Sequence, residues 1–488
     1  MKLFKNFLYN VLYQVLIMIL PLITAPYIAR VLGAEKIGIY SYTYSIAYYF
    51  VLFGQLGLNV YGNRTIATVR DNKEELSKTF WSIYLFQFII SFIACTCYIF
   101  YVVTLKNTEY KFFSILQFIY VVSCVWDINW FYFGIEKFKL TVTRNTIIKI
   151  MTVILILLMV KSREDLWIYI IIMSVGTLIG QLILWTQLPK YIKFTKCTLS
   201  DCKEHIKPVV VLFLPTIATS LYRVMDKIML GSNTEMSQLG YYENSEKFIS
   251  ISMGVINALG TVMIPQMSNL VSNGNIKKVK DYINKSMEGI FILAVPIAFG
   301  LAGIANILSV VFYGKEFGAC GNIISILAIS IIFSAWANVI RTQYLVPNKR
   351  DKEYIISMFT GAITNLIINI ILIPKIGAIG AAIGTVIAEL SVAVMHSIYA
   401  KRELPLLKYL KMVAPYFIIG LTMYIILRII SAYISVSING LILEICAGVI
   451  VYLIIFILYT IISRSQYYYI IKNIIYKKIL RKDKVASE

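Results

Sequence analysis

The chain contains long stretches without a single charged residue, and these constrain its fold more than any other feature. A helix that spans the hydrocarbon core of a bilayer needs about 20 apolar residues. Charge-free stretches that reach that length include Asn6–Ala29, Ile37–Asn63, Thr79–Leu105, Leu166–Pro189, Gly289–Gly314 and Tyr354–Pro374. With 59% of its 488 residues hydrophobic and 15% charged, the chain is predicted to be an all-α integral membrane protein.

Apolar runs separated by polar loops predict fourteen transmembrane helices. They are expected near residues 7–32, 37–58, 80–104, 112–133, 145–161, 166–188, 208–230, 238–263, 286–312, 319–345, 353–373, 377–400, 411–432 and 439–462. Most lysines and arginines then lie in the two termini and the even-numbered loops. Because cation-rich loops stay in the cytoplasm, both termini are predicted to be cytoplasmic in a multi-pass protein of the cytoplasmic membrane.

The net charge of +21 is explained by this topology, so we expect no nucleic-acid partner. The basic, aromatic tail (463–488) is predicted to lie along the inner membrane surface. The seven cysteines and two histidines show no metal-site spacing, and no nucleotide-binding or nucleophile motif occurs. The predicted outer loops are too short to hold an active site. We therefore expect no enzyme activity, no cofactor and no metal site.

An internal repeat relates the two halves of the chain. The segment LPLITAPYIARVLGAEKIGIYSY recurs about 200 residues later as LPTIATSLYRVMDKIMLGSNTEMSQLGYY, with Gly33 matched to Gly231 and Gly38 to Gly240. Transporters are often built from such repeats. We predict two pseudo-symmetric six-helix lobes (1–205 and 206–400), two further transmembrane helices (401–462) and the tail.

Charged residues interrupt two predicted spans of the second lobe. The seventh span carries Arg223, Asp226 and Lys227, and the eighth carries Glu243, Glu246 and Lys247. A charge at the bilayer centre costs about 2.5–3.5 kcal/mol on insertion scales, so such residues usually face a wet cavity or a substrate path. An excess of cations there indicates an anionic substrate.

Helical spacing places these charges on polar stripes. Thr216, Ser220, Arg223 and Lys227 follow at intervals of 4, 3 and 4 residues, and Glu243, Lys247, Ser250, Gly254, Asn257 and Thr261 behave similarly. Ser334, Asn338 and Arg341 extend the pattern to the tenth span. The alternative is internal pairing of Glu243 with Lys247 and of Asp226 with Arg223.

Tyrosines cluster in the second span. Tyr44 and Tyr48 share a helical face with Ser41 and Ser45, and aromatic rings beside hydroxyls suit sugar binding. Interfacial anchoring is the alternative explanation for this cluster, above all for Tyr40 and Tyr42.

Several longer segments resemble a known family, the flippases of polysaccharide repeat units (O-antigen, capsule, teichoic acid), whose superfamily includes MATE exporters and lipid II flippases. The resemblance rests on the opening segment above, on Gly62-Asn63-Arg64, and on four further stretches: WDINWFYFGIEKFKLTVTRN at Trp126–Asn145, VMIPQMSNL at Val262–Leu270, TQYLVPNKRDKEY at Thr342–Tyr354 and IPKIGAIGAAIGTVIAEL at Ile373–Leu390.

The resemblance implies a MATE-like bundle whose central cavity opens alternately to either side. The expected substrate is an oligosaccharide linked through a diphosphate to a polyprenol, moved to the outer leaflet of a bacterial membrane for surface polysaccharide synthesis. Arg30 and Arg223 best match the family's diphosphate-binding arginines. Arg64 is expected at the cytoplasmic mouth, where a purely topological role is the alternative.

The other cavity residues complete the expected site. Lys227, Lys247 and Arg341 are candidates for binding the diphosphate, Tyr44 and Tyr48 for contacting sugar, and Asp226, Glu243 and Glu246 for coupling to a proton or sodium ion. Besides membrane lipid, a polysaccharide polymerase is a candidate partner. The alternative functions are a lipid II flippase and a MATE-type drug/cation antiporter, the latter favoured by carboxylates rather than by cations in the cavity.

Overall fold

The computed structural model describes the backbone of residues 2–464 and the side chains of residues 20 and 22–464. Within these residues all regular structure is helical. The helices are α1 (Lys2–Gln55), α2 (Leu58–Val69), α3 (Lys73–Thr104), α4 (Thr108–Ser123), α5 (Asn129–Gly134), α6 (Phe138–Met159), α7 (Leu166–Gln187), α8 (Leu199–Arg223), α9 (Met225–Asn233), α10 (Met236–Ser272), α11 (Ile276–Tyr313), α12 (Cys320–Ile340), α13 (Asp351–Ala400), α14 (Leu406–Ser431) and α15 (Ile438–Ser463). Eleven helical segments of this part of the chain are long and apolar enough to cross a membrane, as expected for a multi-pass membrane protein.

Two helices are too long for a single span. Helix α1 has 54 residues and α13 has 50, or about 80 and 75 Å at 1.5 Å per residue, against about 30 Å of hydrocarbon. Both change direction at a glycine with positive φ, Gly33 (φ 76°) and Gly377 (φ 56°). These breaks fall where the sequence predicts a boundary between neighbouring spans. The total of fourteen spans remains a prediction, and the predicted tail lies almost wholly outside the described residues.

Three predicted segments differ from the observed helices. The seventh span is interrupted at Val224 (φ −119°), so that α8 ends at Arg223 and α9 begins at Met225. The fourth span is interrupted near Asp127, whose carboxylate accepts hydrogen bonds from the backbone and the side chain of Asn129. Such local side-chain bonds compete with helical ones. The predicted second loop contains the helix α2.

The tightest packing between the halves of the chain lies at the end of the bundle that contains Gly33, here called the Gly33 end. A Cβ atom on Gly38 would lie 1.8 Å from the carbonyl oxygen of Met236, and one on Gly240 would lie 1.9 Å from that of Ala34. A shift of 202 residues exchanges these two contacts. A pseudo-two-fold repeat would produce such reciprocity; the two six-helix lobes and their bounds stay a prediction.

Polar contacts close the same end. Glu316, after α11, accepts a hydrogen bond from the backbone N–H of Ala34 at 2.9 Å and pairs with Arg163 at 2.7 Å. The opposite end, here called the Gly57 end, contains the turn at Gly57 and the connections at 190–198 and 401–405. Helices α1 and α10 are therefore held together at one end of the molecule.

Candidate functional site

A cavity of about 800 Å³ lies between α1, α8, α9 and α10, with Tyr354 of α13 at its edge. It begins within two helical turns of the contacts at the Gly33 end and extends towards the Gly57 end. Thirteen of the sixteen lining residues carry hydroxyl groups or charges: Tyr44, Ser45, Tyr48, Thr216, Thr219, Ser220, Arg223, Lys227, Glu243, Glu246, Lys247, Ser250 and Tyr354. Most lining residues therefore carry a polar group, although the helices themselves are predominantly apolar.

The predicted polar stripes account for much of this lining. All four residues of the α8–α9 stripe, from Thr216 to Lys227, border the cavity despite the break at Val224. On α10 the stripe reaches the cavity at Glu243, Lys247 and Ser250. Further along α10 the stripe no longer borders the cavity. There Asn257 accepts a hydrogen bond from Asn338 of α12 at 2.5 Å.

Lys227 lies between two carboxylates of the neighbouring helix. Its Nζ is 2.7 Å from Glu243 and 2.9 Å from Glu246. Glu243 also accepts a hydrogen bond from Ser41 of α1 at 2.8 Å. The predicted alternative pair of Glu243 with Lys247 is wrong, since Lys247 instead donates to Asn244 at 2.9 Å. Lys227 therefore joins α9 to α10 through both carboxylates.

Asp226 points away from the cavity into the protein. Its side chain is buried and accepts hydrogen bonds from Asn369 at 2.6 Å, Tyr242 at 2.9 Å and Thr385 at 2.9 Å. A Cβ on Gly384 would lie 2.1 Å from Asn369 Oδ1, so glycine makes room for that amide. The alternative pairing of Asp226 with Arg223 is wrong, because Asp226 is turned towards α10 and α13 and makes its hydrogen bonds there, while Arg223 lines the cavity.

The excess cavity charge comes from Arg223 and Lys247. The lining holds three cations and two carboxylates, a net charge of +1, because Lys227 with its two carboxylates carries −1 and the other two cations carry +2. Arg223 is exposed to the cavity, and among the described residues neither it nor Lys247 has a carboxylate within ion-pair distance. A guanidinium with free donors can bind the oxygens of a phosphate in pairs.

Comparison with known proteins identifies the chain. A family model described as polysaccharide biosynthesis protein matches residues 3–271, more than half of the sequence. The chain belongs to this family. It is 22% identical over 404 residues to a protein of Escherichia coli (strain K12) named as an O-antigen transporter, covering 82% of this chain and 97% of that protein. A protein of the same name from Shigella dysenteriae is 24% identical over 379 residues, covering 76% and 92%.

Solved structures show the fold of this polysaccharide biosynthesis family member. A lipid II flippase MurJ in an inward closed conformation superposes with a TM-score of 0.77 at 18% identity, covering 95% of this chain and 100% of that one. An inward-facing multidrug resistance MATE family transporter of the MOP superfamily gives 0.57 at 14% identity, covering 83% and 95%. At these identities the likeness shows a shared MATE-like fold.

Three predicted arginines of this family member lie outside the cavity. Arg30 is exposed at the Gly33 end and donates a hydrogen bond to the carbonyl of Val311 at 2.8 Å. Arg64 is exposed on α2. Arg341 begins a single π-helical turn after α12 and does not border the cavity. The structure thus places Arg223, Lys227 and Lys247 in the cavity lining and leaves Arg30, Arg64 and Arg341 outside it.

The part of the lining that α1 contributes is aromatic and uncharged. Tyr44 stacks on Tyr120 with ring centroids 5.0 Å apart and on Tyr40 at 5.7 Å, and Tyr48 packs edge-on against Tyr49 at 6.2 Å. All three residues that α1 contributes to the lining, Tyr44, Ser45 and Tyr48, are uncharged. The two predicted sugar contacts therefore border the cavity as expected.

The sequence reasoning missed two residues near the site. Glu389 of α13 lies within electrostatic range of Arg223 and Arg341 and is hydrogen-bonded by Ser334. It is the one carboxylate in the predicted span 377–400, a signal that could have revealed it. Tyr354 lines the cavity from the start of α13, where nothing in the local pattern distinguishes it from an interfacial tyrosine.

Proposed function

We propose that this protein is a flippase that moves polyprenyl-diphosphate-linked oligosaccharide units from the inner to the outer leaflet of a bacterial cytoplasmic membrane. The observation that carries the proposal is the cavity lining, which combines the unpaired cations Arg223 and Lys247 with the uncharged side chains of Tyr44 and Tyr48. A head group with an anionic diphosphate and a neutral sugar has matching chemistry. The names of the curated relatives support this class of substrate.

In the proposed mechanism the cavity supplies partners that hydrocarbon cannot. Sugar hydroxyls would lose their water partners in the bilayer core, which costs several kcal/mol for each group. The tyrosine and serine side chains of α1 replace that water, while Arg223 and Lys247 bind the diphosphate. The polyprenol stays in the lipid. Alternating access then requires the contacts of Gly38 and Gly240 at the Gly33 end to separate.

The cavity chemistry disfavours a cation exporter. A MATE-type substrate with a positive charge would meet a lining with a net charge of +1, whose carboxylates Glu243 and Glu246 are already engaged by Lys227. A lipid II flippase remains the alternative, since lipid II also combines a diphosphate with sugars.

Binding by the purified protein tests the proposal. We expect a polyprenyl-diphosphate-linked oligosaccharide to bind more tightly than either the free oligosaccharide or a cationic dye, with binding weakened in Arg223→Ala and unchanged in the exposed control Lys193→Ala. Flipping of the same fluorescent lipid in proteoliposomes should follow binding. Tighter binding and faster flipping of lipid II would favour the alternative, and binding of the dye alone would contradict both.

We further propose that Asp226 couples transport to a proton or a sodium ion. Its carboxylate is buried beside amide and hydroxyl groups rather than beside a cation, and it touches α10 and α13 at once. Uptake of a cation there would change how these helices pack, whereas Glu243 and Glu246 already share the ammonium group of Lys227. We expect Asp226→Asn to keep substrate binding and to lose the dependence of flipping on a pH or sodium gradient. If Glu246→Gln loses that dependence and Asp226→Asn keeps it, the coupling residue would be Glu246 and not Asp226.

A further inference from the structure

A second pocket lies on the C-terminal helices and shares no lining residue with the cavity. This groove of about 380 Å³ runs between α11, α12, α13 and α14. Its walls are apolar and include Phe291, Phe333, Trp336, Val394, Leu410 and Phe417. Apart from Trp336 the lining has two polar side chains, Ser397 and Lys401, and Ser397 is already bonded to the Trp336 indole N–H at 2.8 Å.

The length of the groove corresponds to one leaflet of a bilayer. Along α13 it extends from Leu390 to Lys401, and along α14 from Leu406 to Phe417. Eleven residue steps of helix rise about 16 Å, close to half of a hydrocarbon core of about 30 Å. The groove therefore runs from the Gly57 end to about the middle of the membrane.

Unpaired cations mark the end of the groove. Lys401 and Arg402 are exposed in the connection between α13 and α14. The adjacent carboxylate, Glu403, is engaged by Arg350. Within residues 20–464 the structure shows no carboxylate in ion-pair distance of Lys401 or Arg402. The mouth of the groove is thus cationic at the level where lipid phosphates lie.

We propose that this groove binds one anionic phospholipid from the leaflet at the Gly57 end, with an acyl chain between Trp336 and Phe417 and the head group on Lys401. Basic pockets between transmembrane helices recognise anionic head groups in this way. An apolar wall alone would accept any lipid chain, so the charge at Lys401 makes the site selective. The proposal does not depend on the transported substrate.

Fluorescence quenching of Trp336 tests occupancy of the groove. The protein is reconstituted with phosphatidylcholine brominated in its acyl chains or with brominated phosphatidylglycerol, and the Trp336→Phe variant identifies the contribution of this indole. We expect the Trp336 component to be quenched at a lower mole fraction of phosphatidylglycerol than of phosphatidylcholine. Equal quenching by the two lipids would contradict head-group selection, and no quenching would contradict occupancy.

Removing the charge of Lys401 distinguishes recognition of the lipid head group from binding of the acyl chain. Lys401→Gln should lower the preference for phosphatidylglycerol about fivefold, the effect expected of one basic residue at a membrane surface. The matched control is Lys408→Gln, an exposed lysine of α14 that does not line the groove, which should keep the preference. An equal loss in both variants would indicate general surface attraction. Displacement of phosphatidylglycerol by a polyprenyl diphosphate at equimolar amounts would instead make the groove a site for the substrate's tail.

Discussion

Arg223 and Lys227 are four residues apart and differ in their electrostatic surroundings. Lys227 is held by Glu243 and Glu246, whereas Arg223 faces the cavity without a carboxylate partner among the described side chains. A cation that is already engaged by carboxylates binds an anionic ligand only weakly. The free guanidinium can form paired, charge-assisted hydrogen bonds, so single substitutions should distinguish binding from structural roles.

Substitution of Arg223 should weaken substrate binding and leave folding intact. Hydrogen bonds to charged groups are worth about 1.5–3 kcal/mol, so Arg223→Ala should weaken binding of a polyprenyl-diphosphate oligosaccharide about 10- to 100-fold, and Arg223→Lys by less. Affinity of purified protein and polymer export in cells are the measurements. Lys193→Ala, an exposed lysine outside the cavity, is the control. Similar losses in both variants would argue against a special role for Arg223.

Substitution of Lys227 should act mainly on stability. Lys227→Ala leaves Glu243 and Glu246 close together without a cation, and an unpaired, partly buried charge costs about 1–3 kcal/mol. We expect a lower Tm in detergent. The double variant Lys227→Ala/Glu246→Gln should recover part of the loss, because it removes one of the two carboxylates. A Tm equal to that of the wild type in Lys227→Ala would refute the structural role.

At the level of elements, glycines determine how closely α1 and α10 approach at the Gly33 end. Gly38 and Gly240 each face backbone atoms of the other helix at a distance that no Cβ allows. Met236 and Ala34 provide these opposing carbonyls. Because the obstruction is backbone rather than a flexible side chain, a local adjustment cannot relieve it. The two glycines are therefore needed for closure of this end.

Gly38→Ala should prevent closure of the Gly33 end, because its Cβ would lie 1.8 Å from the Met236 carbonyl oxygen. We expect loss of flipping with binding retained, and greater reactivity of a cysteine introduced at Ser41. Gly289→Ala is the matched control, since a Cβ there has nothing within 4 Å. Normal flipping by Gly38→Ala would mean that the observed approach is not required in the transport cycle.

At the level of the whole molecule, the distribution of cations predicts the orientation in the membrane. The Gly57 end carries the basic connections predicted to be cytoplasmic, including 190–198 and 401–405. Cys197 lies in the first of these and is half-buried, while Cys202 in α8 is buried and therefore a poor reporter. Burial and the nearby Asp201 raise the pKa of the Cys197 thiol, with Lys78 partly opposing them.

A membrane-impermeant maleimide should therefore spare Cys197 in intact cells and label it after lysis. Since the thiolate is the reactive form and its pKa is raised, labelling after lysis should accelerate as the pH is increased from 7 to 9. Cys197→Ser identifies the signal of this residue by its loss. Labelling of Cys197 in sealed cells would reverse the predicted topology.

The sequence by itself determined the helical class, most span positions and the polar stripes, because hydropathy and helical period are local properties. It also located the breaks at Gly33 and Gly377. Only the tertiary structure decided which charges pair. Asp226 is bonded to Asn369 and Thr385, some 150 residues away, and Lys227 to carboxylates of another helix. Such partners depend on how each helix is rotated against its neighbours, and the local spacing that suggested Arg223–Asp226 as an alternative pair does not specify that rotation.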